Sequence, residues 1–159
     1  ITSSNCDDEM SPPALQGPDC ITAPIQCGQT VIGTTKGGGQ WFDTRFYEKK
    51  YCTPATIAHD AGHERVFALS LPAGDRHASI FLDTPCADLD MAVMRVLDFT
   101  TCPTMDTSIS QCDMWPKPGN FREHVEISSQ EDTHWLVVVE GKTEQDGPFA
   151  LTVECRDGL

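Results

Sequence analysis

A chain of 159 residues with 24 acidic and 11 basic side chains, and so a formal net charge of −13, presents a surface that repels nucleic acid and anionic lipid and favours basic partners or hard cations. Its longest apolar run, Trp135-Leu136-Val137-Val138-Val139, is strand-sized, so no helical membrane insertion is expected. The length suits one domain able to bury its own core.

Eight cysteines, at positions 6, 20, 27, 52, 86, 102, 112 and 155, are spread from end to end and include no C-x-x-C pair. Metal and redox sites use short repeated pairs, whereas an even, dispersed set reads as a disulfide framework built outside the cytoplasm. Ile1-Thr2-Ser3-Ser4 reads as a mature start left after leader cleavage, and the lack of an N-x-[ST] sequon leans toward a bacterial source.

Residues 1–24 contain few large apolar side chains, the acidic run Asp7-Asp8-Glu9 and four prolines. They cannot form a core, so the segment reads as a lead-in stapled by Cys6–Cys20 and held by its own domain or by a neighbouring molecule. Residues 25–159 follow a different pattern. Gln29–Thr35 is a β-prone run ending in the turn Gly37-Gly38-Gly39, and Phe67, Leu69 and Leu71 then alternate with more polar positions. Pro72–Asp75 turns the chain into His77–Asp83, where Ala78, Ile80 and Leu82 share a face. Leu89–Leu97 has apolar residues on both faces and is expected at a sheet centre. Thr101–Phe121 lacks alternation and reads as a long loop pinned by Cys102–Cys112. Val125 and Ile127 mark the next strand; Trp135, Val137 and Val139 form the core face of another; Phe149, Leu151, Val153 and Cys155 form that of the last.

Short strands at near-regular spacing, with polar turns and no convincing helix, predict an all-β fold: a disulfide-reinforced antiparallel β-sandwich. Eight cysteines allow 105 pairings. Cys27 and Cys155 lie at the two ends of the sandwich sequence, where terminal strands can be neighbours. That leaves Cys52 with Cys86, and Cys27–Cys52 is the main rival pairing.

Several stretches, in order, resemble the bacterial pre-peptidase C-terminal domain. They are Cys27–Thr35, Tyr51-Cys52, Ala61–Gly74, Leu82–Asp90, Val137–Gly141 and Gly147–Cys155. The resemblance spans Ile25 to Cys155 and leaves the N-terminal segment outside it. It implies a jelly-roll-like sandwich without a catalytic centre, serving binding, adhesion or secretion.

Among residues suited to chemistry, Asp88 and Asp90 stand at i and i+2 of a strand and so on one side, about 6.5–7 Å apart. With Asp83 or Glu64 completing an oxygen shell they are candidate Ca²⁺ ligands, against the plainer reading of a solvated strand entrance. His59-Asp60-Ala61-Gly62-His63-Glu64 approaches the zinc-hydrolase H-E-x-x-H pattern, but Asp stands where the general-base Glu belongs and Gly62 weakens the helix that pattern needs. Trp41, Tyr47 and Tyr51 crowd a loop-like stretch and are candidate ligand-stacking residues, or else a cover for one end of the sandwich. No nucleophile motif is present. The expected function is a non-catalytic extracellular binding or adhesion module that takes an extracellular protein or polysaccharide and requires no cofactor. A structural subunit docking on copies of itself through residues 1–24 is the alternative, and a metal-dependent hydrolase comes last.

Overall fold

A computed structural model of the chain describes residues 20–49, 62–74, 76–114, 122–141 and 145–157. In chain order these form β1 (Ala23–Pro24), β2 (Thr30–Thr34), α1 (Thr44–Lys49), β3 (Glu64–Leu71), β4 (Arg76–Asp83), β5 (Leu89–Val96), β6 (Gln111–Met114), β7 (Glu123–Ser129), β8 (Thr133–Gly141) and β9 (Pro148–Asp157). Two sheets result, ordered β1-β3-β8-β5-β6 and β2-β9-β4-β7. All pairings are antiparallel except that of β1 with β3. The fold is the expected jelly-roll-like β-sandwich.

Strand alternation builds the space between the sheets. Phe67, Leu69 and Leu71 of β3, Leu89, Met91 and Val93 of β5, and Trp135, Val137 and Val139 of β8 meet Ala78, Ile80, Leu82, Leu151 and Val153 from the other sheet in one buried cluster. Phe67, Leu69, Ile80, Leu82, Val125, Trp135, Val137, Val139, Leu151 and Val153, expected in the core from strand phase, are all buried, and Cys155 is partly buried against them. The Trp135 indole N–H donates to Thr133 Oγ1 (2.8 Å), so its burial leaves no orphaned donor.

A second apolar cluster lies on the outer face of the five-stranded sheet. Val66, Ala92, Met94, Leu136 and Val138 project there and are covered by Ile21, Phe42, Phe46, Tyr47 and the Cys20–Cys102 bridge. This cover explains why Leu136 and Val138 are as deeply buried as Trp135 and Val137.

Four expectations change. The central strand of its sheet is β8, between β3 and β5, while β5 lies next to the edge strand β6. Both are apolar on two faces, because the second layer covers both. The stretch read as a long loop contributes β6, paired with β5 from Ala92↔Met114 to Arg95↔Gln111. One short helix, α1, interrupts the all-β pattern. Cys20 bonds Cys102, with Cα atoms 6.0 Å apart across 82 positions, so neither Cys6–Cys20 nor Cys102–Cys112 forms. Sequence proximity favoured those local bridges, but packing of residues 20–22 onto the sheet carries Cys20 to the loop after β5. Cys27–Cys155 forms as expected, because β2 pairs with β9 and Gly28 N donates to Val153 O (2.8 Å). Cys86 and Cys112 are also disulfide-bonded, whereas Cys6 and Cys52 lie outside the described residues.

The described end of the N-terminal segment packs on its own domain. Thr22 N donates to Val66 O (2.7 Å) and Ile25 N to Ala68 O (2.9 Å), while Val66 N donates to Thr22 Oγ1 (3.0 Å). The result is a short parallel edge strand in which Pro24, lacking an N–H, is tolerated.

Candidate functional site

The ladder of the five-stranded sheet aligns three acids. Glu64 pairs with Glu140, and Glu140 with Asp90, across β3, β8 and β5. Each shares strand parity with the apolar outer-face residues Val66, Val138 and Ala92, so all three carboxylates project from that face. Neighbouring strands are about 4.8 Å apart, and the three side chains are only 2%, 0% and 0% exposed. The Asp-x-Asp reading anticipated Asp90 and Glu64. It missed Glu140, which lies between them; the available signal was a Glu in phase with Leu136 and Val138 at the end of an apolar strand.

The segment Trp41–Tyr47 closes over this row. The turn at Gly37, whose φ is 78°, leads into a bridge in which Gly39 N donates to Glu64 O (3.0 Å) and Glu64 N to Gly39 O (2.8 Å). Gly38 has to be glycine, because a Cβ there would collide with the carbonyl oxygen of Glu64. Glu64 Oε1 then accepts from the backbone N–H of Trp41 and of Phe42, the latter at 3.1 Å. Asp43 caps α1, its Oδ1 accepting from Phe46 N (2.8 Å). The Tyr47 hydroxyl donates to Glu140 Oε2. Phe42, Phe46 and Tyr47 pack together with ring centroids 4.7–6.2 Å apart, and the Trp41 indole N–H donates to Pro103 O (2.8 Å).

Burial governs the electrostatics. Loss of water raises the Glu64 carboxyl to about 7, against the two backbone donors and His63, which pull it down. Glu140 is raised well above the ordinary carboxylate range, first by burial and then by the charge of Glu64. Tyr47 is likewise raised by burial and by Glu140. Two unit charges about 5 Å apart at an effective dielectric of about 20 repel by about 3 kcal/mol, enough to favour protonated members in the row at neutral pH. The chemistry this supports is proton storage; substrate contact would need exposed carboxyls.

The four acids named as calcium ligands do not form one shell. Asp83 ends β4 in the other sheet and pairs with Arg122 (3.1 Å). Asp88 is half-buried just before β5, where its N–H donates to Gln145 Oε1 (3.4 Å). Asp90 and Glu64 stand on opposite sides of Glu140. Among the described residues no group of three or more His, Cys, Asp or Glu is disposed to hold a metal ion. Tyr47 is buried rather than presented for stacking, Trp41 is 38% exposed with its N–H engaged, and Tyr51 lies outside the described residues. The aromatics therefore cover the outer face of a sheet rather than one end of the sandwich. His63 Nδ1 contacts Asp146 Oδ2 (2.8 Å) in the lead into β3, and His59 lies outside the described residues.

The outer face of the four-stranded sheet is open. Phe81 stacks on His124 with centroids 4.5 Å apart and 13° between planes, and the Arg122 guanidinium carbon stands 4.2 Å from the Phe81 centroid. Beside them Glu126 gathers Ser79 Oγ (3.0 Å), His124 Nε2 (3.5 Å) and Arg156 Nη2 (3.7 Å). Sequence reading used this region only for its inward residues Val125 and Ile127. The outward signal was the same alternation, which leaves Phe81, His124 and Glu126 on the solvent side.

No protein-family model matches the chain, and no curated protein matches it. Among solved structures, the pre-peptidase C-terminal domain of a collagenase from Bacillus anthracis is similar at TM-score 0.51 and 13% identity, covering 84% of this chain and 96% of that one. A periplasmic inhibitor of g-type lysozyme from Aeromonas hydrophila reaches TM-score 0.46 at 9% identity, covering 88% and 100%. TmCBM61, solved with β-1,4-galactotriose, reaches 0.41 at 13% identity, covering 76% and 100%. The chain thus has the fold of the pre-peptidase C-terminal domain. At these identities the likeness concerns fold alone, and the two lower scores carry no further weight.

Proposed function

We propose that the protein is a non-catalytic extracellular binding module that engages an extracellular protein or a polysaccharide through the open face of the four-stranded sheet. The observation that carries this reading is the Arg122–Phe81–His124–Glu126–Arg156 array. Stacking and ion pairing restrain these side chains on the sheet surface, and such preorganisation lowers the ordering cost of binding. Among the described residues the opposite sheet has no comparable open surface, since its outer face lies under the second apolar cluster. The disulfide-bonded cysteines support a location outside the cytoplasm. Pairing of Ala23–Pro24 with the chain's own β3 favours this reading over a subunit that docks residues 1–24 on a neighbour.

The test is a binding screen of the purified chain against immobilised polysaccharides and extracellular proteins, repeated with His124→Ala/Arg156→Ala. The expected result is retention by at least one class, weakened tenfold or more in the variant at unchanged melting temperature and unaffected by EDTA. Equal binding by the variant would move the site elsewhere. Failure to bind any probe, with concentration-dependent self-association, would favour the structural subunit.

A further inference from the structure

We propose that Trp41–Tyr47 is an acid-latched strap, docked on the five-stranded sheet while Glu64 and Glu140, flanked by Asp90, hold protons and loosened when those two carboxyls ionise. The argument begins with placement. The strap's polar anchors to β3 and β8 end on this row: the N–H groups of Trp41 and Phe42 on Glu64, and the Tyr47 hydroxyl on Glu140. The row consists of like groups on adjacent strands, so each added negative charge is placed beside another in a site closed to water. A strap that seals such a row cannot stay sealed at no cost once the row is charged, because opening is what lets water reach the carboxylates.

The groups facing the row reinforce that direction. Among the described residues, the strap contributes Asp43 and Tyr47 to this environment, while its Arg45 is exposed. The lead into β3 contributes His63, which contacts Asp146 and exerts only a secondary pull on Glu64. Asp88, just before β5, stands two residues ahead of Asp90 and donates its N–H to Gln145 Oε1. Arg65, the neighbouring cation on β3, directs its guanidinium to Thr34 O and Lys36 O (3.0 Å each). Burial already lifts the Glu64 carboxyl to about 7, which puts the transition within reach of ordinary extracellular pH. Trp41 links the strap to the loop after β5 through Pro103 O, so loosening would also release that loop's contact and change the outer face of the five-stranded sheet.

The experiment is hydrogen exchange by mass spectrometry on the full, disulfide-intact chain between pH 5 and 8.5, with rates corrected for intrinsic exchange. The expected result is strong protection of the peptide covering residues 41–47 at pH 5. From about pH 5 to 7 that protection should fall by about tenfold per pH unit, the slope of one linked proton, while amides of β8 keep theirs. In Glu64→Gln/Glu140→Gln, whose amides keep the acceptor oxygens but cannot ionise, the slope should vanish. Protection independent of pH in the native chain overturns the proposal, whether or not the variants fold. So does an equal fall in β8, which would mean global unfolding, or an unchanged slope in the double variant.

Discussion

The two sheets present outer faces of opposite character although both follow the same two-residue alternation. On the four-stranded sheet, outward positions such as His124, Glu126 and Arg156 are exposed and satisfy one another by ion pairs that water screens. On the five-stranded sheet, outward positions include Val66, Leu136, Val138 and Met94, and the face is buried beneath residues 20–22, the strap and the loop after β5. The difference shows that apolar character on both sides of a strand calls for a second layer. It also shows that acids caught under such a layer change their ionisation, while acids on an open face find cations.

The largest effect should come from the bridge that ties the covering layer together. Loss of a disulfide closing a loop of this length costs about 2–5 kcal/mol. Denaturant unfolding of Cys20→Ala/Cys102→Ala should show that loss, with exchange protection lost first at residues 20–25. Next, Leu136→Ala beneath the cover and Leu69→Ala between the sheets should each cost about 2–5 kcal/mol, as for buried leucines generally. A cost under about 0.5 kcal/mol for Leu136→Ala alone would break the equivalence of the two apolar layers.

The third prediction concerns pH. The Glu64 carboxyl rises from 4.5 to about 7 on folding, so folding favours its protonated form. The associated stability is complete below pH 4.5 and lost as pH rises through about 7, a change of about 3 kcal/mol. Glu64→Gln should therefore match the native chain near pH 5 and exceed it near pH 8 in denaturant midpoint; identical pH profiles would show that the group titrates normally. The smallest effect belongs to the open face, where Glu126→Ala should change stability by no more than about 0.5 kcal/mol.

Most strands were legible because half-buried strands write their phase directly into the sequence. The inward residues of β3, β4, β7, β8 and β9 could be named from alternation alone. Leu136 and Val138 were visible as apolar, but what covered them was not, since their partners are distant in sequence and include side chains of the helix Thr44–Lys49. A six-residue helix has little stability of its own, so local propensity could not announce it. The candidate site was half legible: Glu64 and Asp90 were singled out, yet as ligands for a cation rather than as members of a buried carboxyl row.

By itself the sequence determined the fold class, the identity of the central core and the cross-linked character, because period-two hydrophobicity and dispersed cysteines are local or countable properties. Strand order, the Cys20–Cys102 bridge and ionisation were decided only in three dimensions. Cys20 meets Cys102 because residues 20–22 pack on the sheet, and Glu140 enters a buried row because β8 is the strand between β3 and β5. A carboxylate's charge depends on which groups and how much water surround it, and those neighbours come from strands whose adjacency is set by the fold rather than by their order along the chain.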